Sequence, residues 1–165
     1  GSLWGTFLDK KVIAEAYGDY EDFSSNNKSK TTLKGFLAYQ HEKFTVGIEA
    51  VQQIQKRFYA ADSTNIVPIG ISTYIHGILV KDKIRAFGRF DYYDPDTKYD
   101  NSRTYSDKNN YYKQNFITVG LDYTPHKNVH IMPNVWVNTY SDKRTAKIER
   151  KADVVGRVTF FYIYK

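Results

Sequence analysis

The sequence predicts an all-β chain: an antiparallel, up-and-down transmembrane β-barrel of about eight strands, with a ninth at the N-terminus. Three observations carry that expectation. Apolar and polar residues alternate with period two along most of the chain. Short and long connections alternate. Aromatic residues bracket an aliphatic band on one side of the strands. Period two marks a strand, because successive side chains point to opposite faces. No segment carries a competing 3.6-residue helical period.

The segment Asn115 to Tyr140 shows the pattern most fully. Its second strand places Val129, Ile131, Pro133, Val135 and Val137 on one face. His130, Met132, Asn134, Trp136, Asn138 and Tyr140 lie on the other. In chain order, Leu3 to Leu8 reads as a short strand ended by the turn Asp9-Lys10-Lys11, and Gly1-Ser2 as an expression remnant. Strands follow at Val12 to Asp22 and Thr31 to Gln40, with a polar loop from Phe23 to Lys30 between them. Phe44 to Tyr59, Val67 to Val80, Ile84 to Tyr93, Tyr112 to Thr124, Val129 to Tyr140 and Asp153 to Tyr164 complete the series. Connections as short as His41-Glu42-Lys43, Lys81-Asp82-Lys83 and Pro125 to Asn128 join only antiparallel neighbours.

Composition narrows the class. The 165 residues suit one domain, whole or the C-terminal portion of a larger barrel. A lone strand ahead of the first hairpin favours the larger barrel, because single-chain bacterial barrels have even strand numbers. At 41% hydrophobic the chain is not disordered. No apolar run approaches the roughly 20 residues of a membrane helix, but a barrel needs apolar residues only at every second position. The 15 tyrosines and 10 phenylalanines suit strands and membrane interfaces. The absence of cysteine excludes disulfides and thiolate metal sites. The net charge of +6 is spread along the chain among acids and forms no basic cluster, which argues against a nucleic-acid partner.

Whether the aliphatic face meets a core or lipid is decided by the opposite face. That face carries Glu15, Asp19, Lys34, Glu49, Arg57, His76, Arg85, Arg89, Asp91, Asp122, Asn134, Asn138 and Arg157. A soluble barrel fills its interior with bulky apolar residues from every strand. Here the aliphatic face is rich in Ala and Gly, and the polar face holds the large aromatics, which suits lipid outside and a polar lumen within. Tyr39, Phe44, Tyr123, Tyr162 and Tyr164 fall at the short-turn end of the aliphatic face. Tyr20, Phe58 and Tyr92 fall at the long-loop end. Such paired girdles are what a membrane interface selects.

From Val12 to Lys165 the chain resembles the C-terminal part of a Gram-negative outer-membrane porin-like β-barrel. The resemblance rests on GLDYTPHKNVHIMPNVWVNTY (Gly120 to Tyr140) and the terminal VVGRVTFFYIYK (Val154 to Lys165). It implies residence in the bacterial outer membrane, short periplasmic turns and longer extracellular loops. Its implied partners are outer-membrane lipid, small polar solutes, the outer-membrane assembly machinery and other copies in a homo-oligomer. Phe160, Tyr162 and Tyr164 resemble the family's assembly signal, although the chain departs from that pattern by ending on Lys165.

The expected function is passive diffusion of small polar solutes or ions through a charged lumen, with no cofactor. One alternative is a small closed barrel whose lumen is filled by structural ion pairs and whose long loops bind a surface partner. Another is a soluble ligand-binding β-barrel. Arg85 and Arg89 are the best candidates for a cationic wall, while the near balance of signs argues against strong anion selectivity. Asp94, Asp96 and Asp100 resemble half of a calcium loop. They lack its Gly and closing Glu, so Asp94 to Tyr111 reads as a solvated surface loop with no metal. The four histidines do not cluster and no nucleophile–base spacing is legible, so no enzyme activity is expected.

Overall fold

A computed structural model describes residues 1–23, 28–57, 65–105 and 107–164. The chain forms one antiparallel sheet of ten strands: β1 (Ser2–Phe7), β2 (Val12–Phe23), β3 (Lys28–Gln40), β4 (Phe44–Lys56), β5 (Asn65–Ile66), β6 (Ile69–Val80), β7 (Ile84–Asp94), β8 (Tyr112–His126), β9 (Val129–Asp142) and β10 (Asp153–Tyr162). Apart from β5, which pairs beside β6 on the end of β4, each strand pairs with its sequence neighbours. One 3-10 turn, Lys108–Tyr111, is the helical content among the described residues.

The meander puts successive connections at opposite ends of the sheet. Residues 8–11, 41–43, 81–83 and 127–128 make one end. The longer connections 57–68, 95–111 and 143–152 make the other. The second hairpin is longer than its polar sequence implies. β2 and β3 remain paired out to Phe23 and Lys28, where charge complementarity between Glu21 and Lys30 (2.9 Å) favours continued pairing. The rest of the expected loop, residues 24–27, lies outside the described residues.

Register fixes the faces. Directly paired residues share a side of the sheet, so rows run across the strands. One row is Ala14, Leu37, Ile48, Thr73, Phe90, Ile117, Val137 and Val154. The next is Val12, Tyr39, Val46, Ile75, Gly88, Val119, Val135 and Gly156. On the opposite face Glu15, Phe36, Glu49, Ser72, Asp91, Phe116, Asn138 and Asp153 form a single row. The alternation in the sequence therefore becomes one aliphatic and one polar-aromatic surface.

Two glycines on the polar face let aromatic rings lie flat over the backbone. A Cβ on Gly47 would sit 2.6 Å from the Tyr74 ring. One on Gly120 would sit 2.4 Å from Phe87, 2.7 Å from Asn134 Cβ and 2.8 Å from the Pro133 carbonyl. Both rings belong to the residue directly paired with the glycine. Across Gly47, Tyr74 stacks on Phe36 with centroids 6.5 Å apart.

The sheet is not closed: β1 and β10 are its two edges, and no pairing joins them among the described residues. The barrel expected from the alternation is thus present as an open antiparallel sheet. Among the described residues no sheet or helix layer covers the aliphatic face. The buried apolar residues among those described are Ala38, Ile66, Val67 and Tyr105, while Leu37 is 51% exposed, Val119 55% and Val158 69%. The accessible surface is 11318 Å². A compact monomer of this mass exposes about 8,400 Å², so the chain leaves about a third more surface open than a globular domain does.

Candidate functional site

The polar face carries the chemistry, and register places most of the expected residues on it. Lys34 reaches back to Glu15 on β2 and forward to Glu49 on β4, each at 3.5 Å, with its ammonium 5.8 Å from the Tyr17 ring. Further along, Arg89 donates to Asp91 at 2.8 Å within β7. Arg85 stands opposite Asp122 in register, and His76 lies between Thr45 and Phe87. Arg157 on β10 donates to Asn134 at 3.4 Å, and Asn138 donates to the Tyr140 hydroxyl at 2.7 Å. Asp19 accepts from the Tyr17 hydroxyl at 2.6 Å. The face is thus a mosaic of local opposite-charge pairs.

Arg57 departs from that row. It lies one residue beyond β4 with φ 56, in the left-handed region, so it has left the ladder. Among the aromatics, Tyr20, Tyr39, Phe44, Tyr123, Tyr162 and Tyr164 are exposed on the aliphatic side. Tyr92 is half-buried instead, on a row whose neighbours on β6 and β8 are Ile71 and Asn115, and its strand mate Tyr93 is the more exposed of the two. Phe58 lies outside the described residues.

The Asp122 carboxylate accepts from His130 Nδ1–H at 2.8 Å, and Thr124 Oγ1 is 3.4 Å from the same nitrogen. Both partners converge on one ring nitrogen. A nucleophile–base–orienter chain would place them on opposite nitrogens.

No family model, curated protein or solved structure matches the chain. The geometry of the sheet and its loops is therefore the ground for any functional reading.

The largest departure from expectation is at the long-loop end. Much of Asp94 to Tyr111 is exposed, as a surface loop would be, but the segment is anchored by buried residues. Asp96 is fully buried, with Oδ1 accepting from the backbone N–H groups of Val67 (3.1 Å) and Lys98 (3.0 Å) and Oδ2 accepting from the Tyr105 hydroxyl (2.7 Å). Arg103 approaches the same carboxylate at 3.9 Å. Lys143, from the β9–β10 connection, donates to Asp94 Oδ1 and to the Asp96 carbonyl. Thr97 returns two hydrogen bonds to the Val67 carbonyl. Three connections distant in sequence are thus tied to one buried aspartate. The protein itself satisfies these oxygens, and no group of three His, Cys, Asp or Glu side chains converges as a metal site among the described residues.

Tyrosines build the rest of this cap. Tyr99 stacks on Tyr105 with centroids 5.4 Å apart, and Tyr111 meets Tyr105 edge-on at 5.4 Å. Burial, reinforced by the hydrogen bond to Asp96, pushes the Tyr105 hydroxyl up to about 12. Burial also raises Tyr99, while the Ser102 N–H holds Asp100 below the usual carboxylate range. Arg144 is fixed over the Tyr111 and Tyr112 rings, 4.8 and 5.3 Å from their centroids, and donates to Asp142 and the Tyr112 hydroxyl. None of these cap residues figured in the expected pore-lining set. The one trace in the sequence is the six-residue spacing of Tyr99, Tyr105 and Tyr111 among basic residues.

Proposed function

We propose that this sheet is the wall of a porin-like outer-membrane barrel that passes small polar solutes or ions along its charged face. One observation carries the reading. Every long strand turns aliphatic residues to an uncovered surface and charged or hydrogen-bonding residues to the other. In water an aliphatic surface of this extent is a liability, and contiguous apolar patches on soluble monomers rarely exceed a few hundred Å². Against lipid it is the stable arrangement, provided the strand edges are closed so that backbone groups are paired.

The exposed aromatics support the same reading. Tyr39, Phe44, Tyr123 and Tyr162 sit at the short-turn end and Tyr20 at the other, where interfacial rings hold one apolar side and one wet side. Charges of both signs on the inner rows favour a hydrated passage of weak selectivity.

The test is refolding into detergent and reconstitution into planar bilayers. Discrete conductance steps, with a reversal potential showing little preference between small cations and anions, are the expected result. A chain that remains monomeric and folded without detergent, and adds no conductance at any voltage, overturns the proposal.

A further inference from the structure

Among the described residues the sheet ends in two unpaired edges, β1 and β10, of which β10 is the longer. The Ile163 N–H donates to the Asn128 carbonyl at 3.0 Å, so the odd-numbered residues of β10 turn their backbone groups to β9. Val154, Gly156, Val158, Phe160 and Tyr162 therefore point theirs, N–H and C=O alike, to the free edge. Nothing in the strand blunts that edge. It has no proline, no bulge against β9 and no charge on its aliphatic side, whereas edges that stay free carry such devices. We infer that this edge takes up a partner β-strand antiparallel to β10, with apolar residues on the aliphatic side and a carboxylate facing Arg157 on the polar side.

Charge selects the carboxylate. Elsewhere on the polar face, cations meet acids on the neighbouring strands. Lys34 lies between Glu15 and Glu49, and Arg85 is level with Asp122. Arg157 is level with Asn134, a neutral side chain at 3.4 Å, and no acid among the described residues pairs with it. Its other flank is the open edge. Opposite charges directly across a strand pair attract and like charges repel, so the vacant position opposite Arg157 favours Asp or Glu. Main-chain hydrogen bonds would hold such a strand, and alternate side chains would set its register.

Direction excludes the nearest rivals. The continuous path has nine strands, β5 lying off it, and neighbours on it are antiparallel, so β1 and β10 run the same way. β1 could close on β10 only in parallel, the weaker pairing per residue. The same holds for β1 of a second copy in the same membrane orientation, a step that rests on the membrane-wall reading above. A second β10 would be antiparallel only in an inverted copy, with its long loops on the opposite side. The sheet also has the stagger that continuation into a curved wall needs. The row through Phe7, Tyr39, Ile75 and Val119 meets β1 at its last residue. It lies short of Val80 at the end of β6, and further short of His126 at the end of β8.

The test is disulfide trapping on the refolded full chain in detergent micelles, which has no native cysteine to interfere. Val158→Cys marks the edge, and Ile48→Cys marks mid-sheet on the same face. The probe is a synthetic peptide matching the 10 residues of β10 in length. It alternates valine with threonine, with a glutamate set opposite Arg157 and a cysteine beside it opposite Val158. Saturable capture by Val158→Cys, and not by Ile48→Cys, is expected. Adding Arg157→Glu should lower capture about tenfold, because like charges then face each other. A lysine in place of the peptide's glutamate should restore it. Leu3→Cys with Val158→Cys, oxidised without peptide, checks the rivals. A bond within one chain gives the edge to β1, a bond between chains gives it to a second copy, and either overturns the inference. So does absence of capture, equal capture at Ile48→Cys, or indifference to the charge swap. Conductance without capture overturns this inference alone, and capture without conductance overturns the porin-like reading alone.

Discussion

Tyr105 donates its hydroxyl to Oδ2 of Asp96, nine residues earlier, across 2.7 Å in a fully buried setting. The bond joins the two halves of the 95–111 connection. The other oxygen of the same carboxylate holds Val67 and Lys98 in place. Asp96→Ala therefore strands three donors at once. A buried group left without its partner costs about 1–3 kcal/mol, so this substitution should release the cap while leaving the sheet intact. Loss of amide-exchange protection at Val67 and Lys98, with unchanged far-ultraviolet dichroism, is the expected pattern. Unaltered protection would count against Asp96 as the tie.

The same pair sets a pH limit. The Tyr105 hydroxyl titrates at about 12 in the folded chain, against about 10 when unfolded. Because the folded value is raised, its stabilising contribution is complete below pH 10 and is lost as the pH climbs from 10 through 12. Absorbance at 295 nm should show one tyrosine titrating late, and cap protection should fall over the same interval. Tyr105→Phe should remove both signatures.

Gly120 is a second sensitive point. An added Cβ meets Phe87, Asn134 and a backbone carbonyl, whereas one on Gly35 on the aliphatic face meets nothing within 4 Å. Overpacking of this kind costs about 1–3 kcal/mol. Gly120→Ala should lower the unfolding midpoint in urea, while Gly35→Ala should leave it nearly unchanged. Gly47→Ala should fall between them, since only the movable Tyr74 ring stands in its way.

Lys34 separates structure from permeation. It lies between Glu15 and Glu49 at 3.5 Å from each, and all three side chains are partly exposed. Such pairs contribute about 0.2–1 kcal/mol, so Lys34→Met should change stability little. In the proposed pore the same substitution leaves two carboxylates facing the passage. The reversal potential in a salt gradient should shift toward cation preference, and no shift would place Lys34 away from the ion path.

Lipid contact can be tested face by face. Ile48 lies on an aliphatic row and Ser72 on the polar row between Glu49 and Asp91. An arginine facing the bilayer midplane costs about 2–4 kcal/mol in a membrane barrel. Ile48→Arg should sharply reduce the fraction that inserts into liposomes, while Ser72→Arg, flanked by two carboxylates, should insert normally. Equal insertion of both would remove the support for a lipid-facing band.

The sheet was legible in the sequence because its determinant is local. Period-two alternation from Val12 to Tyr164 needs only neighbouring residues, and it placed Glu15, Glu49, Asp91 and Asn138 on a common side. The open edges were not legible, since alternation says nothing about whether the first strand meets the last. The buried anchor of the cap was not legible for a related reason. Asp94 to Tyr111 is polar in composition, and burial of Asp96 arises only when Val67, Tyr105 and Lys143 converge on it. Arg57 lies off the row because β4 ends at Lys56, three positions before the expected Tyr59, and the next residue is left-handed. β5, two residues long, is too short to show any period.

The tie between Asp94 and Lys143 spans 49 positions of sequence, in a sheet whose strands otherwise pair almost entirely with their immediate predecessors. A meander of this kind has low contact order, and its hairpins can zip one after another without waiting for remote partners. The clasp cannot form until β8 and β9 have both been added beside β7. It therefore acts as a completion signal: the cap sets only after this part of the sheet is in register, and a chain stalled midway would carry open loops that a protease can find.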